Sequence, residues 1–281
     1  MTGQEDHGDM SVIDTQTQPP AAYRERREQL AASAAGLERP PTDIDYTDTE
    51  HAVWRTVAAT LAPLWEAHAC SDVIAARDRL ALPADRVPQL SEVDAALRAL
   101  TGFGYRAVPG LVSSVEFFGG LGRGLFSSTQ YVRWEGSPLY TPEPDVIHEV
   151  IGHANCLACP ELAELHRLAG HAIERVVTPA AQQALADVFW FTAEFGVVRE
   201  ADRVAAYGAG LLSSVGELGW FVDHAEIRPL DLREMATIGY DIDRYQPVLF
   251  AGDSLDDVLD VVGEFFCGAT DETVAALIEP S

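Results

Sequence analysis

The sequence contains no lysine: all 19 of its basic residues are arginines, set against 44 acidic ones. Without a side-chain primary amine there is no P-loop phosphate ligand, no kinase strand lysine, and no Schiff base for pyridoxal phosphate or an aldolase substrate. The formal charge of −25 repels nucleic acid and anionic lipid, so neither is expected as a partner. Cysteine is scarce. Cys70, Cys156, Cys159 and Cys267 are too few for a disulfide scaffold and fit free thiols in a reducing compartment. No run approaches the roughly 18 apolar residues of a membrane-spanning helix. Residues 1–9, with Glu5, Asp6 and Asp9, have neither the basic nor the apolar region of a secretory signal. The expectation is a cytoplasmic protein with no membrane contact.

Residues 1–22 are rich in Pro, Gln and Thr and carry no periodic apolar face, which predicts disorder, and the even composition of 23–281 predicts one domain. Over 51–68, Val53, Trp54, Val57, Leu61, Leu64 and Trp65 recur at three and four residues, the pattern of an amphipathic helix. The same period predicts helices over 93–100, 161–177, 180–195 and 255–266. Short β-branched and aromatic runs bounded by Gly and Pro predict strands over 105–108, 112–118 and 126–132. The fold class is mainly α with a minor β component.

The densest chemical signal is 141–153, TPEPDVIHEVIGH. Pro144 and Asp145 form a helix start, with the carboxylate capping free backbone N–H groups, so His148 and His153 come from one element. The zinc-peptidase HExxH motif does not apply, because its histidines are four apart and these are five. On an α-helix that places them ~140° apart rather than ~40°. By spacing alone, two ordinary histidines fit as well as a converging pair. Glu194 is a third candidate, set among Phe189, Trp190, Phe191 and Phe195. A carboxylate in such surroundings is protonated, ion-paired or metal-bound. Two His and one carboxylate make the facial triad of non-haem Fe(II) oxygenases, which keeps coordination positions open. A zinc-dependent hydrolase with the same triad is the reading from a different class.

Several longer strings resemble the pterin-dependent aromatic amino acid hydroxylases. They are QYVR at 130–133, SPLYTPEPD at 137–145, HExxGH at 148–153, PGLVSSxxFxGGL at 109–121, WFTxEFG at 190–196, YGAGLLSSxGE at 207–217 and YQP at 245–247, together spanning approximately 45–266. The resemblance implies a single catalytic domain over 23–281 with iron ligands His148, His153 and Glu194. It places Arg133 and Thr141 at the substrate carboxylate, with Ser213 orienting His148, and Asp145 in support of the iron site. Pro144, Phe126 and Trp190 would cage the substrate ring. Leu111, Val112, Ser114 and Phe117 would bind the pterin, Phe117 by stacking, with Glu149 facing it as a further catalytic residue. The implied reaction hydroxylates a free aromatic L-amino acid with Fe(II), tetrahydropterin and O2, first L-phenylalanine to L-tyrosine. Phenylalanine 3-hydroxylation to meta-tyrosine and tryptophan hydroxylation are the alternatives. The regulatory and coiled-coil segments of animal members have no counterpart in the sequence, which implies a monomer. Phe189 in place of a frequent Tyr and the stretch 155–159, NCLAC, depart from the family pattern.

Other signals read as structural. Cys156 and Cys159 have no second pair to complete a zinc site. His166 and His171 repeat the five-residue spacing on a charged helix and are expected to be solvated. The glycine-rich 119–124 lacks a dinucleotide register and is expected to be a loop.

Overall fold

Helix Asp48–His68 begins where the Thr47 hydroxyl accepts a hydrogen bond from the Glu50 backbone N–H and the Glu50 carboxylate accepts one from the Thr47 backbone N–H, a reciprocal cap that answers two free N–H groups. Its stripe Val53, Trp54, Val57, Leu61 and Trp65 is buried, as three-and-four spacing requires. The computed structural model describes residues 19–34, 41–242 and 244–279. The disorder expected of 1–22 falls outside these residues except at its end, where residues 21 and 22 already belong to helix Ala21–Ala34. The other expected helices are Leu90–Leu100, Pro160–Arg175, Pro179–Phe189 and Leu255–Gly268. None of the described helices is long and apolar enough to cross a membrane.

Six short strands form two sheets among the described residues. Strands β1 (Gly104–Ala107) and β2 (Leu125–Ser128) pair in parallel, Tyr105 opposite Phe126. The expected strand over 112–118 is not formed. Instead Ser113 caps helix Ser114–Gly122 by accepting from Glu116 N, and this helix is the crossover from β1 to β2. The expected loop at 119–124 is corrected likewise, since Gly119 to Gly122 are helical. Gly122 packs directly on the neighbouring helix. A Cβ on Gly170 of the neighbouring helix Pro160–Arg175 would stand 2.1 Å from Gly122 N and 2.5 Å from the Phe118 carbonyl, so the two helix backbones touch. In the second sheet β3 (Val197–Glu200) and β4 (Arg203–Ala206) form a hairpin, and β5 (Glu226–Pro229) and β6 (Val248–Gly252) extend it in the order β4-β3-β6-β5. One continuous apolar core runs from Ala34 to Val274 between these layers.

Two segments depart from α-geometry, and both carry candidate site residues. His148–Ala154 and Trp190–Glu194 are π-helical. In the second, the Phe195 N–H reaches back to the Trp190 carbonyl at 3.1 Å, and the Thr192 hydroxyl donates to the Val188 carbonyl at 2.8 Å. In the first, the Asn155 amide donates to the Ile151 carbonyl at 2.8 Å, where the wide turn gives way to helix Asn155–Leu157. Side chains thus answer the carbonyls that a widened turn leaves open.

Candidate active site

The wide turn resolves the five-residue spacing. With i→i+5 hydrogen bonding, positions five apart come round to nearly one face, so His148 and His153 converge, their ring centroids 4.9 Å apart and nearly perpendicular. Long-range contacts hold the turn. Asp145 Oδ1 accepts from His148 N at 3.1 Å, as a helix cap, while both its oxygens bind Arg133: Nε at 3.0 Å, Nη2 at 2.7 Å and the backbone N–H at 2.7 Å. On the other side Gly152 lies against helix Ala209–Ser213, where a Cβ would meet the Ala209 carbonyl at 2.6 Å.

Glu194 arrives from the second π-segment. Its carboxylate lies 3.0 Å from His153 Nε2 and 3.8 Å from His148 Nε2. Burial pushes this carboxyl up, but the neighbouring His153, His148 and His166 outweigh it and hold it at about 2. His148 is pushed down to about 4, by burial first. Its tautomer follows from one chain of hydrogen bonds. Ser213 Oγ gives its only proton to the Ala209 carbonyl at 2.8 Å, so at 2.8 Å from His148 Nδ1 it accepts, and His148 Nε2 is left as a lone pair. Phe126 lies 4.4 Å, centroid to centroid, from the His153 ring. Two imidazole nitrogens and a carboxylate on one side of a cavity fit a divalent iron-type cation with positions left open. Glu149 is the other carboxylate in reach, with its oxygen, His148 and His153 offering ligand atoms within 4.8 Å of one another. It is buried, and burial followed by the charges of Glu194 and Asp145 pushes its carboxyl well above the ordinary range.

These groups border a cavity of about 380 Å³. Of the expected residues, Leu111, Val112, Ser114, Phe117, Phe126, Pro144, His148, Glu149, His153, Trp190 and Glu194 line it. Leu111 and Val112 are irregular chain, and Ser114 and Phe117 sit in the first turn of helix Ser114–Gly122 rather than on a strand. Phe117 meets Phe118, Phe126 and Phe189 edge to face. Arg133, Thr141, Asp145 and Ser213 stand behind the lining. The Arg133 guanidinium is paired with Asp145, and the Thr141 hydroxyl donates to the Glu143 carbonyl at 2.7 Å. Sequence reasoning did not find Tyr240, which lines the cavity and stacks on Trp190 at 4.2 Å and 8°. Its only local signal is an aromatic after Gly239, whose φ of 71° marks a turn. Thr129 and Tyr131 were missed as lining residues too, and both hydroxyls donate to the Pro144 carbonyl. At the rim Arg27, from helix Ala21–Ala34, pairs with Glu143 and lies 4.2 Å over the Tyr131 ring.

Three discounted signals separate here. His171 is exposed, as expected, but His166 is wholly buried against Phe189 and His153, which corrects its reading as a solvated residue. The apolar face of its helix, not the charged one, carries position 166. Cys156 and Cys159 are buried free thiols bound to the Tyr207 carbonyl and the Glu161 carboxylate, and burial pushes the Cys159 thiol up to about 12. Both pack in the apolar core.

Comparison with known proteins agrees with this geometry. The model of the biopterin-dependent aromatic amino acid hydroxylases matches residues 13–272. A phenylalanine 3-hydroxylase from Streptomyces coeruleorubidus is 45% identical over 260 residues, 92% of this chain and 93% of that one. The phenylalanine-4-hydroxylase of Bos taurus is 37% identical over 250 residues, 86% of this chain, and the chain spans 55% of that relative's length. Among solved structures, the cobalt-bound phenylalanine hydroxylase from Chromobacterium violaceum aligns with a TM-score of 0.79 at 26% identity, covering 94% of this chain and 95% of that one. The apo cold-active phenylalanine hydroxylase from Colwellia psychrerythraea 34H gives 0.78 at 26% identity, over 85% and 92%. The chain belongs to the biopterin-dependent aromatic amino acid hydroxylase family.

Proposed function

We propose that this protein hydroxylates the ring of free L-phenylalanine, with iron held by His148, His153 and Glu194. The observation that supports it most is the convergence of both Nε2 atoms on one carboxylate beside a cavity walled by Phe117, Phe126, Phe189 and Trp190. Iron(II) with tetrahydropterin supplies the activation of dioxygen when bound there. The chain's own part is position and exclusion. Ser213 sets His148, Phe126 backs His153, and the aromatic walls keep water from the substrate ring. Leu111, Val112, Ser114 and Phe117 form the pterin side of the cavity, with Glu149 facing it. Pro144, Phe126 and Trp190 form the substrate side. The substrate carboxylate goes to Arg133 through the terminal nitrogen that Asp145 does not use, with Thr141 beside it.

L-Tyrosine is the product of the main reading. The Streptomyces relative, similar over nearly the whole of both chains, favours a second, hydroxylation at position 3. Family membership sets the zinc hydrolase aside. The catalytic unit is read as 23–281, working as a cytoplasmic monomer; four free cysteines and the acidic charge support that setting. Anaerobic loading with Fe(II), then tetrahydropterin, O2 and each aromatic amino acid, tests the reading, with products separated by chromatography. Phenylalanine should be consumed fastest, one oxygen atom entering its ring; para- and meta-tyrosine elute apart and decide the position. No pterin-dependent product from any aromatic amino acid would overturn it.

A further inference from the structure

Each histidine that faces the metal position needs an anchor. A neutral imidazole that offers one nitrogen to a cation carries its proton on the other, and a buried N–H without an acceptor is costly. For His148 the anchor is Ser213. For His153, Nδ1 is buried and has no partner among the described residues.

Beside it stands His166, fully buried, its ring centroid 6.2 Å from that of His153 and perpendicular to it. His166 Nδ1 lies 2.7 Å from the Leu162 carbonyl. A carbonyl only accepts, so this nitrogen carries the ring proton and Nε2 is a lone pair. That Nε2 is also buried and without a partner among the described residues. When His153 Nε2 gives its lone pair to a metal, its proton sits on Nδ1, and a donor without an acceptor then adjoins an acceptor without a donor. Besides His148, whose Nδ1 is engaged by Ser213 and whose Nε2 faces Glu194, the other rings packed on the pair are Phe103, Phe126 and Phe189, which can satisfy neither.

We propose that His166 is the positioning residue for His153: its Nε2 accepts the His153 Nδ1–H, directly after a small ring rotation or through one buried water, and so holds the tautomer that presents His153 Nε2 to the metal. A single buried water with one polar partner on each ring can bridge two such atoms. The inference rests on the reading of His153 as a metal ligand, which is tested separately by loss of metal in His153→Ala.

The test compares wild type with His166→Leu and His166→Gln, using Fe(II) under anaerobic conditions in competition with a chelator. Leu offers no acceptor, and affinity should fall by about 10–100-fold, the usual effect of losing a ligand's hydrogen-bond partner. Gln can place an acceptor near the Nε2 position and should stay within about threefold of wild type. The second readout is the histidine side-chain proton–nitrogen spectrum of the zinc(II)-loaded protein, a diamagnetic stand-in. Wild type should show one slowly exchanging His153 Nδ1–H, and His166→Gln should retain it. A folded His166→Leu with wild-type affinity and an unchanged His153 signal overturns the proposal. If the Leu variant does not fold, a wild-type spectrum in which His153 Nδ1–H exchanges freely, or in which His166 carries its proton on Nε2, overturns it just as well. If His153→Ala keeps its iron, the ligand reading fails first, and that outcome is distinct from any result at position 166.

Discussion

At the scale of single residues, the site is a set of side chains that hold one another in place. His148→Ala, His153→Ala and Glu194→Ala should each abolish stoichiometric iron binding, while His171→Ala, on the exposed face, should leave it intact; metal analysis after anaerobic loading decides this. Arg133 holds Asp145, and Asp145 caps His148, so its replacement reaches further than the substrate. Lys cannot reproduce the fork. Arg133→Lys should raise the KM for phenylalanine strongly and also lower stability, by about 1–3 kcal/mol, because the buried carboxylate loses part of its partner. A denaturant titration beside the kinetics separates the two effects. Trp190 forms the cavity wall with Tyr240 stacked behind it. Trp190→Phe should open that wall and narrow the preference for phenylalanine over tryptophan in kcat/KM by about tenfold, or about 1.4 kcal/mol. A wild type that prefers tryptophan, or a ratio that does not move, removes Trp190 from the determinants of specificity.

At the scale of elements, the backbone contacts of two glycines divide site from scaffold. Gly152 presses the first π-segment on helix Ala209–Ser213, which carries the anchor of His148. Gly170 presses helix Pro160–Arg175 on helix Ser114–Gly122. Each Gly→Ala change puts a methyl group into backbone and should cost about 1–3 kcal/mol as overpacking. Gly152→Ala should weaken Fe(II) binding more, since it displaces Ser213 from His148 directly, whereas Gly170 acts only through the helix that carries His166. Thermal unfolding and metal titration of the two variants side by side check the distinction; equal metal affinity in both would show that the wide turn does not depend on its neighbour. The element scale is also where sequence periodicity stops being informative. The run 180–195 reads as one helix because its apolar residues keep helical period, yet its last turn widens at Trp190–Glu194 and swings Glu194 toward His153. The run 112–118 has the β-branched and aromatic composition of a strand but contains Ser113, whose cap starts a helix instead.

At the scale of the whole molecule, the motif segments lock one another. Glu217, buried, accepts from the Gln246 backbone N–H at 2.7 Å, and Gly216 is kept free of a Cβ by the Tyr245 hydroxyl. Burial pushes the Glu217 carboxyl up to about 7. A carboxyl raised on folding contributes stability at pH below its ordinary value, and that contribution is lost as pH rises through the folded value. Wild type should therefore lose stability relative to Glu217→Gln between about pH 5 and about pH 8, since Gln keeps an acceptor for Gln246 and cannot ionise. Parallel Tm curves for the two proteins across that range would exclude an ionising Glu217.

The sequence by itself settled what depends on residue type and local period. The missing lysine removed whole chemistries; the stripe of helix Asp48–His68, the cap at Asp145 and the carboxylate among aromatics at Glu194 were visible because side-chain spacing and capping act within a few residues. Even the ligand set could be carried over from matching strings. The tertiary structure decided whether those ligands meet. On an α-helix His148 and His153 diverge; they converge because a turn closed with i→i+5 bonds, and that turn is held by Arg133, 12 residues before the capping Asp145, and faces Ser213, 65 residues after His148. His166 reads as polar and solvated from its charged neighbours, and only the packing of its helix against Phe103 and Phe189 shows it buried beside His153. Tyr240 gives no periodic signal at all, because a residue in irregular chain acquires its role from what folds against it. Contacts between distant segments select the turn geometry and the wet face of a helix, and those contacts are not encoded in any window short enough to read by period.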